Sequence, residues 1–246
     1  MPDGPSLPDA LATPEGKRRY VRRLFATIAD RYDLITVVLS YGRDRAWKRR
    51  LVGLSGAQPG TRALDLACGT GDIAFALATR GAHVVGLDVT IRMLELANLK
   101  TRTPPSLVSR PSFLTGDMMA LPVRDASFDL VTAGYGIRNV PQIAPALAEI
   151  HRVLLPGGRF LSLDFNKPAN RLLRAIYFGY LTVVGSALGW MLHRDPDTYR
   201  YIPESIRRYP GASGVARLLE EAGFADCRVV PLLGGLMAIN LAAKPR

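Results

Sequence analysis

The segment LDLACGTGDIAFALATRGAHVVGLDV, residues 64–89, holds two apolar runs separated by a glycine-rich turn, and an aspartate closes the second run. The apolar runs predict buried strands, and the stretch from Asp72 onward predicts a helix between them. A strand, a tight turn, a helix and a second strand form a unit that binds nucleotide-like cofactors at the turn. Several classes of cofactor use such a turn, so the turn alone does not choose among them.

The chain on either side continues the alternation of strands and helices. Strands are expected at these places: 62–68, 83–89, near 112–117, 128–136 and 159–165. Helices are expected after Asp72, after Thr90, from Pro141 to about Leu155, where Pro-Gly-Gly follows, and at about 213–222. Two last strands with a Gly-Gly turn between them predict an antiparallel hairpin. The pattern predicts an α/β, Rossmann-like fold of the class I methyltransferase type, with a mostly parallel seven-stranded sheet and that hairpin at its end.

The 246 residues suffice for one such domain with a sizeable core. Residues 1–14 contain four prolines and no apolar core, so they predict a flexible tail. A single domain is expected over 15–246. Within it, 15–58 form a basic, helical N-terminal cap, and 166–210 form an insertion on the substrate side, after strand five.

The charge balance, 32 Lys and Arg against 21 Asp and Glu, gives a formal net charge of +11 and points to an anionic partner. Nucleic acid, a phospholipid surface and an acidic substrate all fit that charge. The sequence has no added RNA-binding module and no interleaving of aromatic and basic residues, so no nucleic-acid partner is expected. Two cysteines and three histidines predict neither a disulfide framework nor a metal site, and they fit a reducing cytoplasm.

The glycine turn itself discriminates between cofactors. Gly69 and Gly71 allow a tight turn, but the third glycine of a dinucleotide-binding turn is absent. Asp72 at the start of the helix would repel a pyrophosphate. It suits the cationic amino group of S-adenosylmethionine, which carries no phosphate.

Further acidic residues follow the predicted strands. Asp65 precedes the turn, where it can orient the turn and the methionine part of the cofactor. Asp88, followed by Val89, ends strand two, where a carboxylate can accept both ribose hydroxyls. Asp117 and Met118 follow strand three, where an acceptor and an apolar side chain can contact adenine. These residues predict a site for S-adenosylmethionine at the carboxyl edge of the sheet.

The chain resembles the ubiquinone/menaquinone biosynthesis C-methyltransferases, the UbiE/MenG type, from about residue 17 onward. The segments that carry the resemblance are FATIADRYDLITVVLSYGRDRAWKRR, DLACGTGD, GIRNV, HRVLLPGGRFLSLDFNKP and YRYIPESIRRYP. GIRNV and YRYIPESIRRYP are the narrowest of these signals. The resemblance implies methylation of a ring carbon of a polyprenylated quinol with S-adenosylmethionine.

Carried over position by position, the resemblance assigns cofactor contacts to Thr70, Asp88, Asp117 and Met118. Gly134 stands where relatives often have a serine, so that hydroxyl contact is missing here. Tyr32, within the N-terminal signature, is expected to close over the cofactor.

Three departures from the family pattern lie on the expected substrate side. Ile35-Thr36 replace a usual Met-Asn, Asp44 replaces a usual histidine, and Asp164-Phe165-Asn166 replace a usual Glu-x-Ser. They leave open whether the substrate is a naphthoquinol or a benzoquinol. They also leave an alternative, methylation of another hydrophobic phenol or of a polyketide-like molecule.

Carbon methylation of a quinol requires a phenolate, because the neutral ring is a poor nucleophile. The candidate residues are Arg138 and Asn139 after strand four, Asp164 at the end of strand five and Tyr201 in the insertion. Arg138 either stabilises a phenolate or forms a salt bridge within its loop. Asp164 either accepts the proton or holds a loop in place.

The segment AIYFGYLTVVGSALGWML, residues 175–192, carries no charge and borders on the length of a membrane span. Its place inside a soluble fold argues against spanning. As a helix, it would pack a small-residue face (Gly179, Thr182, Ser186, Gly189) on the domain. Larger side chains (Phe178, Leu181, Val184, Leu188, Trp190) would line a prenyl channel or enter the headgroup region.

The alternative is a lid helix buried against the core or a second subunit, so a homodimer stays open. Arg18, Arg19, Arg22 and Arg23 in the cap favour an anionic membrane surface as partner. We therefore expect a cytoplasmic protein peripheral to the inner membrane face.

Overall fold

Seven strands form one open sheet in the part of the chain that the structure describes, residues 7–101, 109–196 and 198–246 of this computed structural model. They are β1 (Arg62–Leu66), β2 (His83–Asp88), β3 (Ser112–Thr115), β4 (Phe128–Gly134), β5 (Leu154–Phe165), β6 (Ala225–Leu232) and β7 (Met237–Ala243). The order is β3-β2-β1-β4-β5-β7-β6. The pairs from β3 to β5 are parallel, and β7 is antiparallel to β5 and β6. The predicted sheet and its C-terminal hairpin are confirmed.

Ten α-helices accompany these strands within the described ranges. They are α1 (Leu7–Ala10), α2 (Pro14–Ile28), α3 (Tyr32–Leu39), α4 (Asp44–Ser55), α5 (Asp72–Ala78), α6 (Ile91–Thr101), α7 (Ile143–Val153), α8 (Arg171–His193), α9 (Tyr201–Arg208) and α10 (Gly211–Glu221). Successive strand residues face opposite sides of the sheet, so the sheet has a hydrophobic core on each face. Leu130 packs in the core beneath the cap, and the next residue, Val131, packs in the core beneath α7 and α10. Because parallel strands are covered on both faces, the functional groups are left to the sheet edge.

The Pro-Gly-Gly segment lies inside β5 rather than between a helix and a strand. Leu154 already pairs with Phe128, whereas the next pair joins Arg159 to Leu130, so the extra residues form a bulge. Gly157 has a φ of 79°, a left-handed conformation that favours glycine. The predicted start of this strand at residue 159 is therefore corrected to Leu154.

Part of the predicted N-terminal tail is folded. In α1 and just after it, Ala10 and Leu11 are buried, and the carbonyl of Leu11 accepts a hydrogen bond from Nη1 of Arg208 at 3.0 Å. Pro14 begins α2, a position at which a helix accepts proline without losing a hydrogen bond. The prediction of a flexible tail is thus wrong for residues 7–14, and residues 1–6 lie outside the described residues.

Helix α8 forms most of the insertion and packs on the body through a different face from the one predicted. Its buried residues are Tyr177, Leu181, Gly185 and Gly189. Gly179 and Thr182, expected on the packed face, are exposed. Larger side chains provide more buried apolar area than a stripe of small residues, so Leu181 faces the core instead of pointing away.

Candidate active site

The sheet places its crevice at the carboxyl ends of β1 and β4. The strands that follow β1 along the chain, β2 and β3, lie on one side of it, and β4 and β5 lie on the other. Ligands bind at such a switch point in open α/β sheets. Ala67 after β1 has a φ of 48° and Tyr135 after β4 a φ of 59°, two left-handed residues other than glycine. Strained backbone of this kind is concentrated at functional sites.

The main cavity, of about 730 Å³, opens at this edge. Several of the predicted residues line it: Tyr32, Gly69, Asp88, Val89, Asp117, Met118, Gly134 and Asn139. Other residues in its wall were not predicted as site residues, and among them are Val21, Phe25, Met93 and Tyr135. The cap thus contributes to the cavity through α2 and through Tyr32, the first residue of α3.

Asp88 is held rigidly at the end of β2. Its Oδ2 accepts a hydrogen bond from the backbone N–H of Gly69 at 2.9 Å, and its Oδ1 accepts one from that of Thr90 at 2.8 Å. Burial raises the pKa of Asp88, and the backbone donors oppose that rise. Each carboxylate oxygen keeps a further lone-pair position, so the group can still accept two ribose hydroxyls.

A smaller space of about 290 Å³, the turn cavity, lies against the glycine turn and is lined by Asp65, Thr70 and Asp72 among others. Asp65 is 1% exposed, and its Oδ1 accepts a hydrogen bond from the hydroxyl of Thr132 at 2.7 Å. Its Oδ2 has no hydrogen-bond partner among the described residues. Burial raises the pKa of Asp65 to about 7.

Asp72, predicted to meet a cationic amino group, is already paired. Its Oδ2 lies 2.9 Å from Nζ of Lys48, and its Oδ1 lies 3.2 Å from Nζ of Lys100. Burial raises its pKa, but the two ammonium groups outweigh burial and hold that pKa below its usual range. Among the described residues in the wall of the turn cavity, the buried carboxylate oxygen without a partner is therefore Oδ2 of Asp65. The charge of Asp72 is balanced by two ammonium groups, and its contact with the amino group of the cofactor stays a prediction.

Thr70 and Asp117 have protein partners of their own. The hydroxyl of Thr70 donates to Oδ1 of Asp33 at 2.7 Å. Oδ2 of Asp117 lies 3.2 Å from Nη2 of Arg18, and Met119 donates its backbone N–H to Oδ1. Helix α2 is thereby tied to the wall in which adenine contacts were predicted.

Two glycines of the predicted site are required by close packing. Gly71 has a φ of 88°, and a Cβ there would lie 2.8 Å from the ring of Phe75. A Cβ on Gly134 would lie 2.6 Å from Cδ1 of Ile73. Gly71 does not line the cavities described here, and its role is to allow the tight turn. At Gly134, the side chain of Ile73 occupies the space that a larger residue would need.

A third space of about 540 Å³, the cap cavity, lies between the cap and the insertion and is largely apolar. Its wall includes Leu24, Ile28, Ile35, Leu39, Phe165, Tyr199, Tyr201 and Ile202. Phe25, Tyr32 and Tyr135 line both the cap cavity and the main cavity. The two spaces are therefore neighbours that share aromatic walls.

Arg138 brings a charge into the wall of the cap cavity. Its Nη1 lies 2.8 Å from Oδ1 of Asp164, and the two side chains are 5% and 4% exposed. Burial lowers the pKa of Arg138, but Asp164 outweighs burial and keeps the guanidinium charged. Its Nε has no hydrogen-bond partner among the described residues.

Asp164 is engaged on both oxygens. Oδ1 also accepts the N–H of Phe165, and Oδ2 accepts the N–H of Arg138. It lines none of the three cavities described above. The geometry supports the loop-holding alternative for Asp164 and gives no support to a role as proton acceptor.

Asn139 and Tyr201 form a second connection around the same loop. The hydroxyl of Tyr201 donates to Oδ1 of Asn139 at 3.0 Å, and Nδ2 of Asn139 donates to the carbonyl of Tyr135 at 2.8 Å. Nη1 of Arg138 donates to that same carbonyl at 2.9 Å. The strained Tyr135 thus orients the residues that follow β4.

Lys17 in the cap is a site-side residue that the sequence did not reveal. Its Nζ donates to the carbonyls of Arg138 and Val140, at 3.0 and 2.6 Å. Burial, with the nearby charges of Arg138 and Arg208, lowers the pKa of Lys17 to about 8. A basic stretch gives no sign of which lysine turns inward, since that depends on contacts with residues more than a hundred positions away.

The sheet order, the glycine turn without a third glycine and the carboxylate that ends β2 define a class I S-adenosylmethionine-dependent methyltransferase. The sequence model of the ubiE/COQ5 methyltransferase family matches residues 13–244. The chain belongs to that family.

Named relatives match the chain over almost its whole length. The ubiquinone/menaquinone biosynthesis C-methyltransferase UbiE of Teredinibacter turnerae is 38% identical over 93% of this chain and 92% of that protein. A demethylmenaquinone methyltransferase of Mycobacterium sp. (strain KMS) is 38% identical, covering 95% and 98% of the two chains. One from Staphylococcus aureus is 34% identical, covering 96% and 98%.

Solved structures share the fold at low sequence identity. An S-adenosylmethionine-dependent methyltransferase of Thermotoga maritima has a TM-score of 0.65 and 19% identity, covering 91% of this chain and 99% of that one. A Haemonchus contortus phosphoethanolamine N-methyltransferase, solved with S-adenosylhomocysteine, has a TM-score of 0.62 and 16% identity. The match covers 82% of this chain and 53% of the Haemonchus contortus enzyme.

Proposed function

We propose that this protein methylates a ring carbon of a polyprenylated quinol with S-adenosylmethionine, converting demethylmenaquinol to menaquinol or methylating a benzoquinol. The relatives named for menaquinone and ubiquinone biosynthesis support the proposal. The observation that carries it is the apolar cap cavity beside the main cavity, with a guanidinium in its wall. The same relatives disfavour the alternative of another hydrophobic phenol or a polyketide-like molecule.

The donor groups around the main and turn cavities fit S-adenosylmethionine. Asp88 can accept the ribose hydroxyls, and Met118 in the cavity wall can give adenine an apolar contact. The unpaired Oδ2 of Asp65 is a buried acceptor for an ammonium group. When bound, the cofactor supplies an electrophilic methyl group to the ring carbon.

Residues in the wall of the cap cavity must make the ring carbon of the substrate nucleophilic. A phenol-like hydroxyl has a pKa near 10, so the phenolate needs stabilisation at neutral pH. Arg138 provides a fixed charge with a free Nε–H in a buried wall, where an ionic hydrogen bond is strong. The hydroxyl proton would leave to water, and the ring carbon would take the methyl group as the methyl–sulfur bond breaks, which releases S-adenosylhomocysteine. Loss of the ring proton to water would then restore the aromatic ring.

Asp164, Asn139 and Tyr201 act as positioning residues in this scheme. Asp164 fixes the guanidinium by accepting from its Nη1 and from the backbone of Arg138. Asn139 and Tyr201 hold the loop through the carbonyl of Tyr135. A charge held in place before the substrate binds costs no reorganisation when the phenolate forms.

Quinone analysis in cells tests the proposal. Cells that lack their own quinone C-methyltransferase should accumulate the unmethylated quinone, and expression of this protein should restore the methylated one, as read by mass spectrometry. Arg138→Met should fail to restore it while the purified variant still binds S-adenosylmethionine. An unchanged quinone profile in cells that contain folded wild-type protein would rule the proposal out.

We further propose that the outer face of α8 rests on an anionic membrane and that the protein is peripheral to the inner membrane face. Large apolar side chains on this face are 59–71% exposed: Leu172, Ile176, Val183, Trp190 and Met191. Leu34, Val37 and Tyr41, in and after α3, are exposed as well, and Tyr41 stacks on Tyr180 of α8. A patch of this kind marks an interaction site.

The charges and the topology favour a helix that lies on the membrane. Arg171 and Arg174 stand at one end of α8 and Arg194 follows the other. Among the described residues α8 alone has the length and hydropathy of a span, with 22% of its apolar window buried. However, β5 before it and β7 after it pair in one sheet, so both ends of α8 belong on one side.

The cap makes a smaller basic contribution to this surface than the sequence suggested. Arg18 pairs with Asp117, and Arg22 lines the main cavity. All four of these cap arginines are nevertheless exposed, and Arg19 and Arg23 lie outside the cavity wall. The arginines at the ends of α8 therefore share the electrostatic part of the membrane proposal with the cap.

A further inference from the structure

Lys48 is a buried lysine of the cap that the proposed chemistry does not use. It lies on α4, its side chain is 10% exposed, and it lines the turn cavity. Its Nζ lies 2.8 Å from Oδ2 of Asp44 and 2.9 Å from Oδ2 of Asp72. Lysines are rarely buried in this way unless they are paired.

The pairing leaves Lys48 with capacity for a ligand. An ammonium group has three donors, and the two carboxylates take two of them. Burial lowers the pKa of Lys48, but Asp72, Tyr32 and Asp44 outweigh burial and hold it above its usual value. A permanent positive charge with a spare N–H therefore faces the turn cavity.

A buried acid without a full set of partners lines the same cavity. Asp65 is 1% exposed, its Oδ2 is unpartnered among the described residues, and the cavity wall contains it together with Lys48. A small polar space with an ammonium and a carboxylate in its wall matches a zwitterion, which brings one charge of each sign.

We propose that Lys48 binds the carboxylate of the amino-acid end of S-adenosylmethionine, opposite the ammonium group held by Asp65. The inference rests on the proposed function, which supplies a cofactor with such an end. It makes the cap part of the cofactor site, because α4 and the glycine turn come from opposite ends of the chain segment 44–72. The geometry adds Asp44 as the positioning residue for Lys48.

Asp44 connects this site with the cap cavity. Its Oδ1 accepts a hydrogen bond from the hydroxyl of Tyr135 at 2.8 Å, while its Oδ2 holds Lys48. Tyr135 lines the turn cavity and the cap cavity, and its carbonyl receives Arg138. Asp44 is also one of the departures from the family pattern, in which a histidine is usual.

Calorimetric titration with two ligands tests the proposal on the purified full-length protein. S-adenosylmethionine carries the amino-acid end, and 5′-methylthioadenosine lacks it. Lys48→Met should weaken binding of S-adenosylmethionine about 10- to 100-fold, the range for a lost charge-assisted hydrogen bond. Binding of 5′-methylthioadenosine should change by less than about threefold, and Arg49→Met, an exposed charge on the same helix, should leave both affinities unchanged.

The outcomes separate this inference from the proposed function. If wild-type protein binds neither ligand, the proposed cofactor is wrong. If Lys48→Met weakens both ligands equally, or neither, the assignment of Lys48 is overturned while the cofactor stands. Should Lys48→Met fail to fold because Asp44 is left unpaired, the double variant Asp44→Asn, Lys48→Met removes both charges and is titrated in the same way.

Discussion

Two buried side chains at the carboxyl edge of the sheet each retain an atom without a protein partner, Oδ2 of Asp65 and Nε of Arg138. Buried polar atoms are nearly always paired, because an unpaired one costs about 1–3 kcal/mol. The two residues line different cavities, Asp65 the turn cavity and Arg138 the cap cavity, and the two atoms have opposite character, an acceptor and a donor. A cationic group of the cofactor and an anionic oxygen of the substrate would satisfy them.

The affinity for S-adenosylmethionine should therefore rise with pH. Burial raises the pKa of Asp65 to about 7, so the group is largely neutral below that pH and ionised above it. A cation binds the ionised form, so affinity should increase between about pH 5.5 and 7.5, where the ligand's α-amino group stays protonated. Calorimetry across this range measures the effect, and Asp65→Asn should abolish the pH dependence. A flat profile in the wild type would contradict the role of Asp65.

Asp88 should contribute to cofactor binding through hydrogen bonds to the ribose. Asp88→Ala removes two charge-assisted hydrogen bonds to the ribose, which should cost about 2–4 kcal/mol of binding free energy. Asp129→Ala is the matched control, since Asp129 pairs with Arg62 at the amino end of β4, on the opposite edge of the sheet. Equal affinities of the folded Asp88→Ala variant and the wild type would refute the ribose assignment.

The positions of several site residues could be predicted from the sequence, because residues that follow parallel strands meet at one edge of the sheet. This reasoning placed Asp65, Asp88 and Asp117 at the cavities. It could not find the ion pairs that neutralise Asp72, or the pair that engages Asp164. Those partners are set by tertiary contacts that no local spacing records.

Among the secondary-structure elements, the alternation of strands and helices could be predicted from the sequence. The faces through which the insertion helix α8 and the N-terminal segment pack could not. The sheet and hairpin follow from local pattern and short loops. Helix α8 is apolar around most of its circumference, so its composition does not say which side packs. Gly185 and Gly189 do pack inward, but beside Tyr177 and Leu181 rather than in a face of small residues. Proline content likewise suggested a tail where Pro14 begins a helix.

The exposed face of α8 should bind anionic vesicles. Ile176→Ser should weaken vesicle binding about 10- to 100-fold, since burying such a side chain contributes about 1.5–3 kcal/mol. Ile91→Ser is the control, because Ile91 on α6 is 61% exposed against 62% for Ile176. Co-sedimentation with vesicles of anionic lipid, at low and high salt, measures both variants.

Three results would oppose the membrane assignment of this face. The wild-type protein could remain in the supernatant at low salt, or the two isoleucine variants could bind vesicles equally. A lipid-independent dimer that Ile176→Ser dissociates would instead identify a second copy as the occupant. Binding that weakens with salt fits arginines next to anionic headgroups.

The whole molecule combines a cofactor edge, an apolar cap cavity and an apolar outer helix in one domain. The cap and the insertion enclose the cap cavity, and Tyr32 and Tyr135 separate it from the main cavity. A net charge of +11 suits an enzyme that meets its substrate at an anionic surface. On the proposed function, the same architecture would confine the phenolate to a buried space, in which Arg138 would act with little competition from water.

The proposed function requires the enzyme to methylate the reduced ring and to leave the oxidised ring unchanged, which an assay with purified components can check. Purified protein, S-adenosylmethionine and a demethylated polyprenyl quinone in detergent are incubated with and without dithionite, and the products are read by mass spectrometry. Only the reduced ring has a hydroxyl proton to lose, so the methylated product should form with dithionite and be absent without it. Equal turnover of the oxidised substrate, or no methylation of the quinol, would show that the proposed function is wrong.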